Sequence, residues 1–284
     1  MKTLYFPRIT SVLLILFFIP IMKVCAFSTD KNEQQKKAEQ KDQDPNNAQG
    51  QVPEIVTDRP DVTESSIVIP KGSLQAENGF TRTNRQANHS FDLSETLLRL
   101  GIGQRTELRF VVPNFTAISG LTEHTHTNGF EDLAVGFKQQ LGPLPGKVDL
   151  SVIAEMSLPT GTSGLSSHAI DPEIKFPWSK DLKNPYSIGG MLSFFLPTED
   201  GKRNFTWEET FYFERELRKN MDLFIEYAGD YPHIGKTSQI LHMGYTYRYK
   251  PTHQLDCHFG IGLTKAAPTY FIACGYSFRI DKLF

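Results

Sequence analysis

From residue 73 to residue 280 the chain alternates apolar and polar residues, and this alternation limits what it can fold into. Successive side chains of a β-strand point to opposite faces, so a period of two is typical of strands with one apolar face. The clearest example is residues 221–228, where one face would carry Met221, Leu223, Ile225 and Tyr227. No apolar run after the N-terminus is long enough for a transmembrane helix. The pattern therefore predicts an all-β protein.

The alternating stretches predict about twelve antiparallel strands. We place them at residues 73–83, 91–102, 105–115, 130–141, 147–158, 169–177, 185–197, 204–217, 220–229, 236–249, 252–263 and 268–280. Tight turns such as 103–104 and 218–219 alternate with mostly longer connections such as 116–129, although the last loop, 264–267, is short. An even strand count with short and long connections in turn is typical of outer-membrane barrels. Glu95 and Glu209 fall on otherwise apolar faces, and a β-bulge near each would restore the alternation.

A β-sandwich would show the same alternation, because its apolar faces meet in a core. Charges of both signs near strand centres and tyrosines at strand ends, as at 245–249, favour a barrel instead. The chain also ends at Phe284 behind an aromatic-rich strand, which resembles the signal that barrel-assembly machinery reads. We therefore predict a transmembrane antiparallel up-and-down β-barrel in the outer membrane of a Gram-negative bacterium. Its apolar side chains would contact outer-membrane lipid and its charged ones enclosed water.

The N-terminus predicts export. Lys2 and Arg8 precede a short apolar run, and Val24-Cys25-Ala26 offers small residues for cleavage. Residues 1–26 are therefore a predicted signal peptide. Residues 27–52 are predicted to be a disordered linker, because the tract is polar and cannot bury a core. We expect residues 53–72 to form an N-terminal clasp or plug and residues 73–284 to form the barrel.

The segment before the first strand reads Val-Thr-Asp-Arg-Pro-Asp-Val-Thr-Glu-Ser over residues 56–65. Together with residues 97–101, 105–109 and 158–161, it resembles the outer-membrane family known as "MetA-pathway of phenol degradation". The resemblance covers most of residues 55–280. It implies an outer-membrane barrel with a transport role, sometimes linked to the uptake of aromatic compounds.

Inward-facing charges are candidates for lining a permeation path, because charged rings in pores select by sign. These lumen candidates are Glu77, Arg99, Glu107, Arg109, Lys138, Glu155, Lys175, Glu226 and Arg248. The alternative is a structural network that holds the barrel closed. The plug candidates are Asp58, Arg59, Asp61 and Glu64. Their acids could pair with Arg99, Arg109 or Arg248, and the alternative is a clasp that stabilises the first strand.

No catalytic residue, metal or cofactor is predicted. His242, His258 and Ser277 should face inward near Asp256, but an enzyme acting on lipid needs a nucleophile that faces lipid. No G-x-S-x-G or H-E-x-x-H sequence occurs. The sequence Glu-His-Thr-His at 123–126 is a weak metal signal.

Two further observations concern the cysteines and the charge. Cys257 and Cys274 lie nearly opposite each other in the last hairpin. We expect two small apolar residues facing lipid there, with a cross-strand disulfide as the alternative. The 30 Lys and Arg against 32 Asp and Glu give no concentrated basic patch, so nucleic acid is not an expected partner.

These features predict a non-enzymatic channel or transporter for small solutes, including aromatic or hydrophobic ones. Two alternatives remain open. One is an outer-membrane enzyme that acts on lipid or lipopolysaccharide, and the other is a structural or adhesive barrel.

Overall fold

The computed structural model describes residues 52–120 and 126–284 and shows one antiparallel sheet closed on itself. Its strands are β1 (Leu74–Asn84), β2 (Asn88–Leu93), β3 (Thr96–Gly101), β4 (Thr106–Val112), β5 (Phe115–Gly120), β6 (His126–Phe130), β7 (Leu133–Gln140), β8 (Asp149–Leu158), β9 (Asp171–Asp181), β10 (Tyr186–Phe195), β11 (Thr198–Glu199), β12 (Lys202–Arg203), β13 (Thr206–Arg218), β14 (Met221–Pro232), β15 (Ser238–Lys250), β16 (His253–Gly262) and β17 (Tyr270–Ile280). β11 and β12 form a separate hairpin. The pairs β2/β3, β4/β5 and β6/β7 are each one interrupted barrel strand, so the barrel has the twelve strands predicted.

The barrel closes between its first and last strands. β1 pairs with β17 along its whole length, from Leu74 opposite Ile280 to Asn84 opposite Tyr270. Bare backbone groups cost several kcal/mol each in hydrocarbon, so closure is what allows such a sheet to cross a bilayer. No helix in the described ranges is long and apolar enough to span a membrane.

The two faces of the sheet separate as the alternation predicts. Leu223 and Ile225 are 43% and 40% exposed on the outside, whereas Phe224 between them and Asp222 and Glu226 on either side are buried. Charged side chains are also buried elsewhere around the barrel. The fully buried ones include Arg99, Arg109, Lys138, Glu77 and Glu107. The apolar face is therefore the outer face and the charged face lines the interior.

The bulge expected near Glu95 is present, but the one near Glu209 is absent. Pairing with β1 shifts from Leu93 opposite Phe80 to Leu97 opposite Glu77, and Ser94 at the shift has φ 59°. β13 pairs regularly with β14 across Glu209, and its one register shift lies beyond Glu216. Glu209 therefore stays on the outer face, where its carboxylate accepts a hydrogen bond from the Tyr231 hydroxyl at 2.9 Å. That prediction was wrong because the tyrosine gives the outward carboxylate a partner.

Two other expectations are corrected. Cys257 and Cys274 are directly opposite in register and form a disulfide, with Cα atoms 4.1 Å apart, so the preferred expectation of unbonded cysteines was wrong. A close cross-strand pair brings the two side chains together. The long loop expected at 116–129 is largely strand, because β5 and β6 extend the sheet, and β5 pairs with β2.

The predicted signal peptide and nearly all of the predicted linker lie outside the described residues. So do Glu123, His124 and Thr125 of the candidate metal sequence.

Candidate functional site

The segment that precedes β1 lies inside the barrel and touches opposite walls. At its start the Ile55 amide donates to the Pro251 carbonyl at 2.7 Å. The Asp58 amide then donates to Glu77 on β1 at 2.8 Å, and the Val62 amide donates to Glu226 on β14 at 2.8 Å. We call residues 55–69 the lumen segment.

A group of buried cations fixes the lumen segment to one side. Arg99 on β3, Arg109 on β4 and Lys138 on β7 converge on Asp58, at 3.3, 2.6 and 2.9 Å. Glu107 on β4 lies between them, with an oxygen 2.8 Å from Arg99 Nε. A buried charge is tolerated when it is paired and hydrogen-bonded, and these groups satisfy one another. We call the inward faces of β3, β4, β7, β8 and β9 the basic wall.

Glu64 of the lumen segment extends the same network. Its carboxylate lies 2.5 Å from Arg109 Nη2 and 2.7 Å from Lys175 Nζ on β9. Glu155 on β8 contacts the same two cations at 2.6 and 3.3 Å. The structure thus brings seven of the predicted lumen residues into one network with two plug candidates, Asp58 and Glu64. The seven are Glu77, Arg99, Glu107, Arg109, Lys138, Glu155 and Lys175.

Three predicted residues are placed elsewhere. Arg248 pairs with Asp222 at 2.5 Å and Glu54 at 3.3 Å, and not with the plug acids. Arg59 contacts Glu95 at 2.8 Å. Asp61 has a buried oxygen, Oδ1, that accepts no hydrogen bond from any described residue. Of the three bases considered for the plug acids, Arg99 and Arg109 therefore pair with them and Arg248 does not.

Glu226 fastens the lumen segment to the opposite wall. Its two oxygens accept the Val62 and Thr63 amides, both at 2.8 Å. The Thr63 hydroxyl contacts both Thr210 and Glu226. His242 Nε2 lies 2.5 Å from the same carboxylate. One buried carboxylate on β14 therefore holds the turn at residues 62–63 against the barrel.

The residues considered for hydrolysis do not assemble. Asp256 lies beside Arg59 at 3.5 Å and makes no hydrogen bond within the described ranges. His242 is bonded to Glu226 instead, and the Ser277 hydroxyl has no partner among the described residues. A nucleophile–base–acid chain needs each member within hydrogen-bond reach of the next, so this arrangement does not provide one.

Comparison with known proteins identifies the family. The family model described as "Putative MetA-pathway of phenol degradation" matches residues 57–280. This protein belongs to that family. The match begins at Thr57, so it includes most of the lumen segment as well as the barrel. No curated protein matches the chain.

Two solved structures share the fold of this family member. An outer-membrane channel from Pseudomonas putida F1 superposes with a TM-score of 0.60 at 12% identity, covering 76% of this chain and 98% of that one. A NanC porin superposes with a TM-score of 0.51 at 9% identity, covering 73% of this chain and 100% of that one. The closed barrel and these outer-membrane relatives place the protein in the outer membrane of a Gram-negative bacterium.

Sequence reasoning missed a second set of inward charges, on β13 and β14. They occupy alternate positions of their strands, on the same face of the sheet as Glu226, and this alternation is the signal that could have revealed them. The missed residues are Glu208, Glu214, Glu216, Asp222 and Asp230. With Thr210, Glu226, His242 and Arg248 they form what we call the acidic wall, the inward faces of β13, β14 and β15.

Residues of the acidic wall contribute to the lining of four cavities in the lumen. Near the outer loops, a cavity of about 480 Å³ is lined by Asp171, Glu173, Phe195 and Asp230, and one of about 190 Å³ by Val62, Glu208 and Asp230. Towards the short turns, cavities of about 200 and 580 Å³ are both lined by Glu214, Asp222 and Arg248. The contact between the lumen segment and Glu226 separates the outer pair from the inner pair.

Proposed function

We propose that this protein is an outer-membrane channel for small solutes, with the lumen segment as its narrowest restriction. The observation that carries the proposal is the division of the lumen. Ion pairs fill the middle of the basic wall, whereas residues of the acidic wall help to line all four of these cavities, from the outer loops to the short turns. A barrel filled only for stability would need no such series of cavities.

The restriction lies at Thr63. Its contacts with Thr210 and Glu226 span the gap between the lumen segment and the acidic wall. Within the described ranges, the hydrogen bonds that bridge the gap come from this small hydroxyl and the adjacent amides, whereas Asp58 on the other side is held by three cations. We therefore expect the path to open when the lumen segment moves away from the acidic wall.

The volume and lining of the outer cavity support the proposal that the solutes are small and have an apolar part. Its volume of about 480 Å³ lies within the range of small-ligand pockets. Its lining combines the apolar residues Phe195, Leu196 and Pro197 with the carboxylates of Asp171, Glu173 and Asp230 and the base Lys236. The family's description, which refers to phenol degradation, also supports aromatic solutes.

Conductance across planar bilayers tests the proposal. We expect small, discrete openings from the wild-type protein. Thr63→Ala removes the hydroxyl bridge and should raise the open probability or the unit conductance. Thr237→Ala, in an exposed outer turn, is the matched control and should behave as wild type.

The proposal fails if no current and no solute flux are seen with the wild type, with Thr63→Ala or with a chain lacking residues 52–66. Heat-modifiable migration on gels must first show that each variant is a folded barrel.

A further inference from the structure

The acidic wall holds many more carboxyl groups than bases. The inward-facing ionisable residues of β13, β14 and β15 include one strong base, Arg248, and one weaker base, His242. Their carboxylates are Glu208, Glu214, Glu216, Asp222, Glu226 and Asp230. Arg248 lies at the periplasmic end, where it already pairs with Asp222 at 2.5 Å. The rest of the wall has no cation of its own.

Two carboxylate pairs face each other directly across the strands. Glu208 is opposite Asp230 near the outer end, and Glu216 is opposite Asp222 near the inner end. Like charges in this position destabilise a sheet. The bonds that Glu208 and Glu214 make are to the neutral hydroxyls of Ser193 and Ser187, at 3.2 and 3.0 Å. A mobile cation in the adjoining cavity would relieve this repulsion.

The cavities bring these carboxylates to the path itself. Asp230 lines both outer cavities and Glu208 lines the smaller one, and each lining also holds one base, Lys236 in the larger cavity and Arg85 in the smaller. Glu214 lines both inner cavities, and Asp61, with its unbonded buried oxygen, faces one of them. Acids therefore line the open space on both sides of the restriction at Thr63.

The cations of the basic wall are poor partners for a passing anion, because carboxylates already pair with them. Its cations Arg99, Arg109 and Lys138 already share Asp58 and Glu107, and Lys175 shares Glu64 and Glu155. At the basic wall an anion would need to displace one of these carboxylates, and in the linings of the two outer cavities the acids outnumber the bases Lys236 and Arg85.

We infer that the path selects cations, and that the solutes its outer cavity takes are small organic cations. The positive group would lie beside Glu208 and Asp230, and the apolar body would pack against Phe195 and Leu196. Rings of acidic side chains select cations, and an aromatic face adds attraction for an organic cation. The inference rests on the proposed channel function and names its solute class.

Reversal potentials in asymmetric bilayers test the inference. In a KCl gradient the wild type should show a potassium-to-chloride permeability ratio above one. Two permanently charged aromatic probes of similar size then test the solute class, benzyltrimethylammonium chloride and sodium benzenesulfonate. The organic cation should carry current and the organic anion should carry much less.

Conservative neutralisation identifies the source of selectivity. The potassium-to-chloride permeability ratio should fall towards one in the double variant Glu208→Gln/Asp230→Asn and in Glu214→Gln, while both variants still form open channels. Glu209→Gln removes one carboxylate from the outer face of the same strand, and should keep the wild-type ratio.

The outcomes separate the two claims. Absence of current in every variant overturns the channel itself. Current with no ion preference, with anion preference, or with a preference unchanged in Glu208→Gln/Asp230→Asn overturns the cation inference alone. Potassium selectivity without any benzyltrimethylammonium current overturns the assigned solute class.

Discussion

At the scale of single residues, Asp58 is the carboxylate on which the interior depends most. Arg99, Arg109 and Lys138 are all within 3.3 Å of it. The Asp58 amide donates to Glu77, and the Asp58 carboxylate also accepts the Ser65 amide. Buried ion pairs contribute little net stability when complete, but removing one partner leaves buried charge uncompensated. The role of Asp58 is therefore expected to show as a large loss on substitution.

Asp58→Asn should lower the free energy of unfolding by about 3–5 kcal/mol, the usual cost of breaking a buried ion pair. The new amide also directs hydrogen-bond donors at cations that are donors themselves. Urea unfolding in phospholipid vesicles, followed by tryptophan fluorescence, measures the change.

Asp200→Asn is the control, because Asp200 is exposed in the turn of the β11–β12 hairpin and makes no ion pair within the described residues. Its free energy of unfolding should change by less than about 0.5 kcal/mol, as for most surface substitutions. Equal effects of the two substitutions would show that the network around Asp58 does not hold the segment.

At the scale of elements, Asp132 anchors the outer loop at 159–170. Its carboxylate accepts the Gly161 amide at 2.8 Å and the Ser167 amide at 3.0 Å. Partial burial would raise the pKa of Asp132, but the hydrogen bonds from Gly161, Ser166 and Ser167 outweigh it and hold the pKa below its ordinary value. The ionised carboxylate is therefore the form that orders the loop.

Asp132→Ala should make this loop at least about tenfold more sensitive to added protease at neutral pH, since losing charged hydrogen bonds costs about 1.5–3 kcal/mol. Cleavage that follows local opening reports the population of the open loop. Asp200→Asn in the neighbouring hairpin, which suits the left-handed φ of 50° at that position, should leave the cleavage rate unchanged. Identical rates for the two variants would contradict the anchoring role.

The pH dependence has a definite sign. A lowered pKa in the folded state stabilises the loop above the unfolded-state value of about 3.9, and this stabilisation is lost as pH falls through the folded pKa. Pepsin should therefore leave the wild-type loop intact near the upper end of its acid range. Cleavage should begin only in stronger acid, and Asp132→Ala should lose this dependence.

The strands could be predicted from sequence more completely than the contacts inside them. Period two reveals which face is apolar, as at Leu223 and Ile225, and hence that Glu226 points inward. It cannot reveal that Glu226 meets Thr63, because that contact joins residues 163 positions apart. Outward exceptions such as Glu209 were equally hidden, since its partner Tyr231 becomes a neighbour only when β13 and β14 are paired.

At the scale of the whole molecule, two substitutions distinguish a bilayer from water around the barrel. Ile225, near the middle of β14, and Tyr249, near the end of β15, are both outward and are 40% and 41% exposed. In water, equal exposure would predict similar small costs for a charged side chain at either position. In a bilayer the cost depends on depth, since arginine on the lipid face costs about 2–4 kcal/mol at the midplane and about 0–1 kcal/mol near the interface.

Ile225→Arg should therefore destabilise the barrel by about 2–4 kcal/mol and Tyr249→Arg by about 0–1 kcal/mol, measured by urea unfolding in phospholipid vesicles. Ile225→Ala separates the loss of the apolar side chain from the cost of the charge, and should lie between the two. Equal costs for the two arginines would mean that the outer face does not meet hydrocarbon. The lumen would then not connect two compartments, so this ordering of costs underlies both the channel and its selectivity.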